Sequence, residues 1–172
     1  MSVGGDKSQA LNFAIDYASS LGIHFSIAAG NDNKNACSFS PGSSKYGIKT
    51  GASDINDKTA IFTNYGGCVD LYAPGVDILS SWNDNKSKIA SGTSMAAPHT
   101  SGVMSLYLSM YHYTPKELKK IILEDSKLVV QCTDHCDKKF WPLNLFFGYE
   151  KLPLVSINNL YNDFLQNKKK SN

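Results

Sequence analysis

The sequence is short of charge imbalance, of long apolar runs and of repeats. Its 172 residues carry 17 Lys+Arg against 15 Asp+Glu, a formal net charge of +2. So small a balance gives no ground for a nucleic-acid or membrane-surface partner, and the run Lys168-Lys169-Lys170 reads as a solvated tail end. No apolar stretch reaches the length that spans a bilayer. The opening Met1-Ser2-Val3-Gly4-Gly5-Asp6 has neither the charged start nor the apolar stretch of an export signal. Internal repeats and long low-complexity segments are absent. What remains is a globular composition, 42% hydrophobic and 19% charged, in a chain long enough for one domain with a core.

Cysteine is scarce, with four in all. Four cysteines allow three pairings, and spacing does not choose among them. Cys37 and Cys68 lie far apart in loop-like surroundings and are the favoured pair. Cys132 and Cys136 frame Cys132-Thr133-Asp134-His135-Cys136. Cys132, His135 and Cys136 as metal ligands match no standard zinc spacing, so a surface loop with a local disulfide or free thiols is the better reading. Disulfides would suit a secreted or vacuolar protein.

The stretch Ser91-Gly92-Thr93-Ser94-Met95-Ala96-Ala97-Pro98-His99 is the most informative. Gly92 permits a tight turn and close approach of another chain. Ser94 opens a predicted helix, where free N–H groups and the positive dipole end favour an oxyanion. Met95, Ala96, Ala97, Val103, Met104, Leu106 and Leu108 drive that helix, expected over about 94–111, into a core.

Elsewhere the patterning is α/β. Leu11, Ala14, Ile15, Ala18 and Leu21 have helical spacing over 7–21, and Gly22 stops the helix. The run 23–29 suits a central parallel strand, so the order is strand, helix, strand, with a right-handed crossover. Asn31 follows that strand at its carboxyl end, where ligands sit in open α/β sheets. Alone it would be a turn residue. Asp32 to Ser44 is a polar loop. Short strands are expected at 48–53, 61–66, 69–72 and 76–82, the last turning through Asn83-Asp84-Asn85-Lys86 and returning over 87–90. Thr114, Pro115 and Glu117 predict a capped helix with Leu118, Ile121, Ile122 and Leu123 on its buried face. Trp141 to Tyr149 reads as an apolar strand, and a short helix is expected around 157–165.

Seven segments, in order, resemble the subtilisin-like serine proteases. They are Ser2-Val3-Gly4-Gly5, Ala28-Ala29-Gly30-Asn31, Ser40-Pro41, Thr50-Gly51-Ala52-Ser53, Phe62-Thr63-Asn64-Tyr65-Gly66, Ala73-Pro74-Gly75-Val76-Asp77-Ile78-Leu79-Ser80 and the Ser94 motif. The wording is closest to the proteinase K branch, particularly fungal vacuolar enzymes of the cerevisin type. The resemblance covers about 1–126 and, more loosely, 141–149.

It implies a partial subtilisin-like fold, α/β, with a mostly parallel sheet flanked by helices and its N-terminal strands missing. Residues 1–149 would be the C-terminal part of a catalytic domain, and 150–172 a poorly ordered extension. Ser94 would be the nucleophile, and Asn31 with the Ser94 N–H would hold the oxyanion. Ser2, Val3 and Gly4 would pair with a polypeptide substrate as an edge strand, and Ala28, Ala29 and Gly30 would line a specificity pocket. No cofactor is required. A structural calcium would draw on Asp70 and on carbonyls near Lys45 and Gly47.

Two parts of the pattern are missing. The family's base lies in a His-Gly-Thr segment and its orienting Asp in an Asp-Thr/Ser-Gly segment, both upstream of the serine. Neither is present, and none of the four histidines, His24, His99, His112 and His135, is followed by Gly-Thr. The chain therefore reads as the C-terminal half of a serine endopeptidase, nearly inactive without its N-terminal half. The alternative is a truncated, non-catalytic relative that binds peptides or a protease partner.

Overall fold

The structure is a computed structural model, and it describes residues 1–132 and 151–162. The elements, in chain order, are β1 (Gly5–Asp6), α1 (Gln9–Ser20), β2 (Ser26–Ala28), β3 (Phe39–Ser40), β4 (Ile48–Ser53), β5 (Leu71–Pro74), β6 (Ile78–Trp82), β7 (Lys86–Ala90), α2 (Thr93–Met110), α3 (Pro115–Asp125), β8 (Lys127–Gln131) and β9 (Lys151–Leu154). A 3-10 turn at Ala36–Ser38 precedes β3.

The main sheet has the order β2-β4-β5-β9-β8. β2, β4, β5 and β9 run parallel, and β8 is antiparallel to β9. Every residue of β4 is buried, as expected of a parallel strand covered on both faces. β1 pairs antiparallel with β3, and β6 with β7 as a separate hairpin.

α2 lies on this sheet through apolar and polar contacts alike. Met104 and Tyr107 join Ile48, Leu71, Leu118, Ile122 and Leu160 in one buried cluster. Deeper along the helix the side chains are small: Ala96 packs with Ala52, Ala60 and Ala73. Small residues let the helix approach closely enough for two buried hydroxyl links. Ser26 Oγ donates to the Ala97 carbonyl at 2.7 Å, and Thr50 Oγ1 bonds Thr100 Oγ1 at 3.0 Å. Satisfied in this way, the buried hydroxyls carry no desolvation penalty.

The cap expected for α3 is present in both halves. Thr114 Oγ1 accepts from the Glu117 N–H, and the Glu117 carboxylate accepts from the Thr114 N–H at 2.8 Å. Hydrogen bonds from the Thr114 N–H and, beside it, the Thr114 hydroxyl lower the Glu117 carboxyl pKa from its ordinary value. Leu118 and Ile122 are fully buried, with Ile121 and Leu123 packed beside them.

Several expectations need correction. On α1 only Ile15 of the five predicted apolar contacts is buried; Leu11 and Ala18 are half-buried, and Ala14 and Leu21 are exposed. Phe13 and Tyr17 are also exposed and stack on each other with centroids 6.1 Å apart. The central strand is shorter than 23–29: Ile23 is exposed and His24 lies before β2. Residues 61–66 form a turn, irregular backbone and one isolated bridge from Tyr65 to Asn35 rather than a strand, and the Asn64 side chain takes hydrogen bonds from backbone groups of a different loop.

Among the described residues the chain continues into the fold past residue 150. β9 sits inside the main sheet, Leu152 is buried, and residues 158–162 are helical with Leu160 in the core. The expected strand at 141–149 lies outside the described residues.

Candidate active site

The site is built where β2 ends and α2 begins. Gly30, just after β2, has φ +103, and a β-carbon there would lie 2.2 Å from Asn64 Nδ2. Only glycine fits the turn. Asn64 is fully buried and holds the loop from three sides. Its Nδ2 donates to the Ala29 carbonyl at 3.0 Å, and its Oδ1 accepts from the Asp32 and Lys34 N–H groups, each at 3.0 Å.

Asn31 projects from this fixed loop towards the start of α2. Its Oδ1 accepts from the Thr93 N–H at 2.8 Å and from Thr93 Oγ1 at 2.9 Å. Thr93 Oγ1 in turn accepts from the Gly30 N–H at 3.1 Å. With its oxygen pinned, the Asn31 amide presents Nδ2 outward. A β-carbon added at Gly92 would lie 3.4 Å from Asn31 Nδ2 and 3.7 Å from the Ser94 nitrogen. The two donors therefore border the same open space at the N-terminus of an 18-residue helix, the kind of site that favours anionic oxygen.

Ser94 is half-buried. Its Oγ donates to the Ser2 carbonyl at 3.2 Å, and Ser2 Oγ donates to the Ser94 carbonyl at 2.9 Å. Pro98 explains why that carbonyl is available. It stands inside α2 four residues on and has no N–H to give it. Gly75 brings the hairpin close: its carbonyl accepts from the Gly92 N–H at 2.7 Å, and a β-carbon on Gly75 would sit 2.6 Å from Ala52 Cβ.

Around these residues lies a cleft of about 520 Å³. Ser2, Val3, Gly4, Ala28, Ala29, Gly30, Asn31 and Ser94 all line it. The sequence-predicted nucleophile, oxyanion donor, edge and pocket are thus brought to one place. Thr93 and Asn64 are the members that sequence reasoning passed over. Both stood inside quoted motifs, but their side chains bond protein groups, Thr93 at Asn31 and Gly30 and Asn64 at the 29–34 loop, so no chemistry marked them.

Among the described residues, no histidine is hydrogen-bonded to Ser94 Oγ. His99 is exposed with Nδ1 2.8 Å from the Met95 carbonyl. His24 packs against Tyr113 in a separate cavity that also holds His112 and Glu117. Burial lowers the His24 pKa, against a smaller upward pull from its backbone hydrogen bond with Tyr113. His135 lies outside the described residues.

Cys37 and Cys68 are joined by a disulfide, tying the 3-10 turn to the segment before β5. Cys132 is also disulfide-bonded. The residues 133–136 of the second cysteine cluster lie outside the described residues.

The three residues offered for calcium are differently engaged. Asp70 Oδ2 accepts from the Lys49 N–H at 2.8 Å and from Lys119 Nζ at 2.8 Å, with Lys49 Nζ at 3.3 Å. The Gly47 carbonyl accepts from Lys119 Nζ at 3.1 Å and Lys49 Nζ at 3.3 Å. Lys45 turns elsewhere: its N–H donates to Asp16 and its Nζ lies over the Tyr46 ring. Burial pushes the Lys49 ammonium down to about 8, against the upward pull of Asp70. Among the described residues, no cluster of three or more His, Cys, Asp or Glu side chains is placed to hold a metal ion, and no helix is long and apolar enough to cross a membrane.

Comparison with known proteins agrees with this geometry. The model of the subtilase family of peptidases matches residues 1–149. The "Putative subtilisin-like proteinase 1" of Encephalitozoon cuniculi is 54% identical over 164 residues, covering 93% of this chain and 35% of that protein. "Subtilisin-like serine protease Pen ch 18" of Penicillium rubens is 43% identical over 135 residues, covering 72% and 27%. Among solved structures, a cold adapted subtilisin-like serine proteinase superposes with a TM-score of 0.75 at 35% identity, over 90% of this chain and 52% of that one. The chain thus spans about a third of the first relative's length. On the family match and on the assembly of Asn31, Thr93 and Ser94 at the head of α2, the chain belongs to the subtilase family.

Proposed function

We propose that this chain supplies the nucleophile, the oxyanion donors and part of the substrate cleft of a serine endopeptidase. The single observation that carries the reading is the fixed amide of Asn31. Thr93 holds its oxygen, and its nitrogen shares one open space with the Ser94 N–H. Such a pair is of little use to a structural helix cap. It suits a carbonyl oxygen that becomes negative as a nucleophile adds.

In this mechanism a polypeptide lies along Ser2 to Gly4 as an added strand, and its side chain enters the space beside Ala28 to Gly30. Ser94 Oγ adds to the scissile carbonyl, and its proton passes to a general base. The tetrahedral oxyanion is held by Asn31 Nδ2 and the Ser94 N–H. The C–N bond then breaks, the amine leaves with a proton from the conjugate acid of that base, and the acyl-serine ester remains. Water, deprotonated by the same base, releases the acid and restores Ser94. On this reading the base and the carboxylate that orients it lie in the part of the relatives' length that the chain does not span. The disulfide at Cys37–Cys68 and the bonded Cys132 support a secreted or vacuolar compartment.

A fluorophosphonate probe tests the reading. The whole protein should be labelled rapidly at Ser94, with labelling lost in Ser94→Ala, while residues 1–172 alone should label slowly or not at all. A whole protein that binds peptide yet leaves Ser94 unlabelled would instead support the peptide-binding alternative.

A further inference from the structure

A metal bound here would need oxygen ligands that are free to face it. Calcium takes six to eight of them at about 2.3–2.6 Å. Among the oxygens of this part of the fold, Asp70 Oδ2 and the Gly47 carbonyl each already receive both lysine ammoniums. Lys119 makes the shorter contact to each, 2.8 Å to the carboxylate and 3.1 Å to the carbonyl. Asp70 Oδ2 also accepts the Lys49 N–H. Among the described residues, no cluster of three or more His, Cys, Asp or Glu side chains forms here. A divalent ion would therefore have to displace two fixed cations, or sit against them.

The charges explain why the arrangement holds without one. Two ammoniums carry +2 and the carboxylate −1, the same sum that a single divalent ion and this carboxylate would give. The Lys49 side chain is nearly inaccessible, at 6%, and the Asp70 side chain is 14% accessible, so neither charge is left to water. Lys119 reaches in from α3, at 24%, and is the group that a change in the solvent reaches first. Its position also has a mechanical result. Gly47 precedes β4, Asp70 precedes β5, and Lys119 comes from the middle of α3, so one ammonium ties a helix to the starts of two neighbouring parallel strands.

We propose that Lys119, backed by Lys49, is the resident cation of this site, standing where a calcium ion would otherwise link the starts of β4 and β5. The residues here do not fit the metal that the family resemblance implied, because its place is taken from within the chain. The inference does not depend on the catalytic reading above, since nothing in it concerns Ser94.

Crystals of the whole protein soaked in terbium chloride, a calcium substitute with strong anomalous scattering, give the direct test. The expected map has no anomalous peak between the Gly47 carbonyl and Asp70, with Lys119 Nζ at that position. A peak there, with Lys119 turned away, overturns the proposal. The second test compares thermal unfolding of the whole protein and its Lys119→Ser variant, each with calcium and with chelator. The variant should unfold several degrees lower and should recover more on adding calcium than the unsubstituted protein does. An equal calcium response in the two proteins would show that ammonium and metal do not compete for one place, and would also overturn it. Calcium bound elsewhere in the protein shifts both alike and leaves the comparison intact.

Discussion

Ser2 and Ser94 are bonded to each other in both directions, each hydroxyl donating to the other's carbonyl, at 2.9 and 3.2 Å. The first of these bonds does the work of a missing helix donor, because Pro98 cannot supply the N–H that the Ser94 carbonyl would otherwise receive. The second holds the Ser94 hydroxyl against the segment 2–4. On the function proposed above, a substrate and a base would draw Ser94 Oγ away from the Ser2 carbonyl, whereas the Ser2 hydroxyl can keep its bond throughout.

Replacing Ser2 by Ala should cost about 0.5–1.5 kcal/mol of stability, at the low end because the pair is exposed. The loss should shrink in a Pro98→Ala background, where a new N–H reaches the same carbonyl. Urea unfolding of the two single variants and the double variant gives the coupling. Strict additivity would mean that Pro98 is not why Ser2 is needed.

Asn31→Ala should lower kcat about 10²–10³-fold in the whole protein, the size known for such an asparagine in subtilisin, with KM little changed. Thr93→Val should lower kcat by less, because the amide stays but loses one of its two anchors. It should also cost about 1–3 kcal/mol, since the Gly30 N–H loses its acceptor. Steady-state kinetics and thermal unfolding on the same samples separate the two effects. A Thr93→Val enzyme with full kcat would show that the backbone bond alone orients Asn31.

The disulfide between Cys37 and Cys68 closes a loop of sequence separation 31. By loop-closure entropy, Cys37→Ser with Cys68→Ser should destabilise the fold by about 3–4 kcal/mol. The loosening should appear first where Asn64, inside that loop, holds its neighbours, so hydrogen exchange at the Asp32 and Lys34 amides should rise before that of β4. Uniform exchange across both regions would mean that the disulfide does not brace the site.

His24 predicts a limit on acid stability. Its folded pKa lies below the ordinary value of 6.5 because burial disfavours the imidazolium, and Nδ1 is buried without a partner. The unfolded chain therefore binds more protons between the two values. The contribution of His24 is full above 6.5 and is lost as pH falls through that window. His24→Gln should flatten the fall in unfolding temperature between neutral and mildly acidic buffer. His112 and Glu117 line the same cavity in both proteins, so only the difference between the two curves reports His24.

The legible parts of this protein were those where chemistry and local backbone geometry coincide. Gly92 and Ser94 sit together because a turn, a helix start and a nucleophile have compatible needs, and Thr114 with Glu117 because a cap is a local contract. Gly30 and Asn31 were readable only together with that motif. Illegible were the features set by partners distant in sequence. Nothing in 61–66 says that Asn64 will leave a strand and hold the 29–34 loop, since its partners are backbone groups. The α1 periodicity could not say which stripe the sheet would cover, and Phe13 and Tyr17 ended up outside. The partners of Lys119, Asp70 and the Gly47 carbonyl, are likewise distant in sequence.

The place of β9 bears on how the chain is made. Its residues 151–154 slot between β5 and β8, both synthesised earlier, so the ribosome finishes the two flanking strands before the filler emerges. Until then β5 is paired with β4 alone and β8 has only the isolated Lys58–Gln131 bridge, and a chaperone that shields exposed strand edges would have its longest task on this nascent polypeptide.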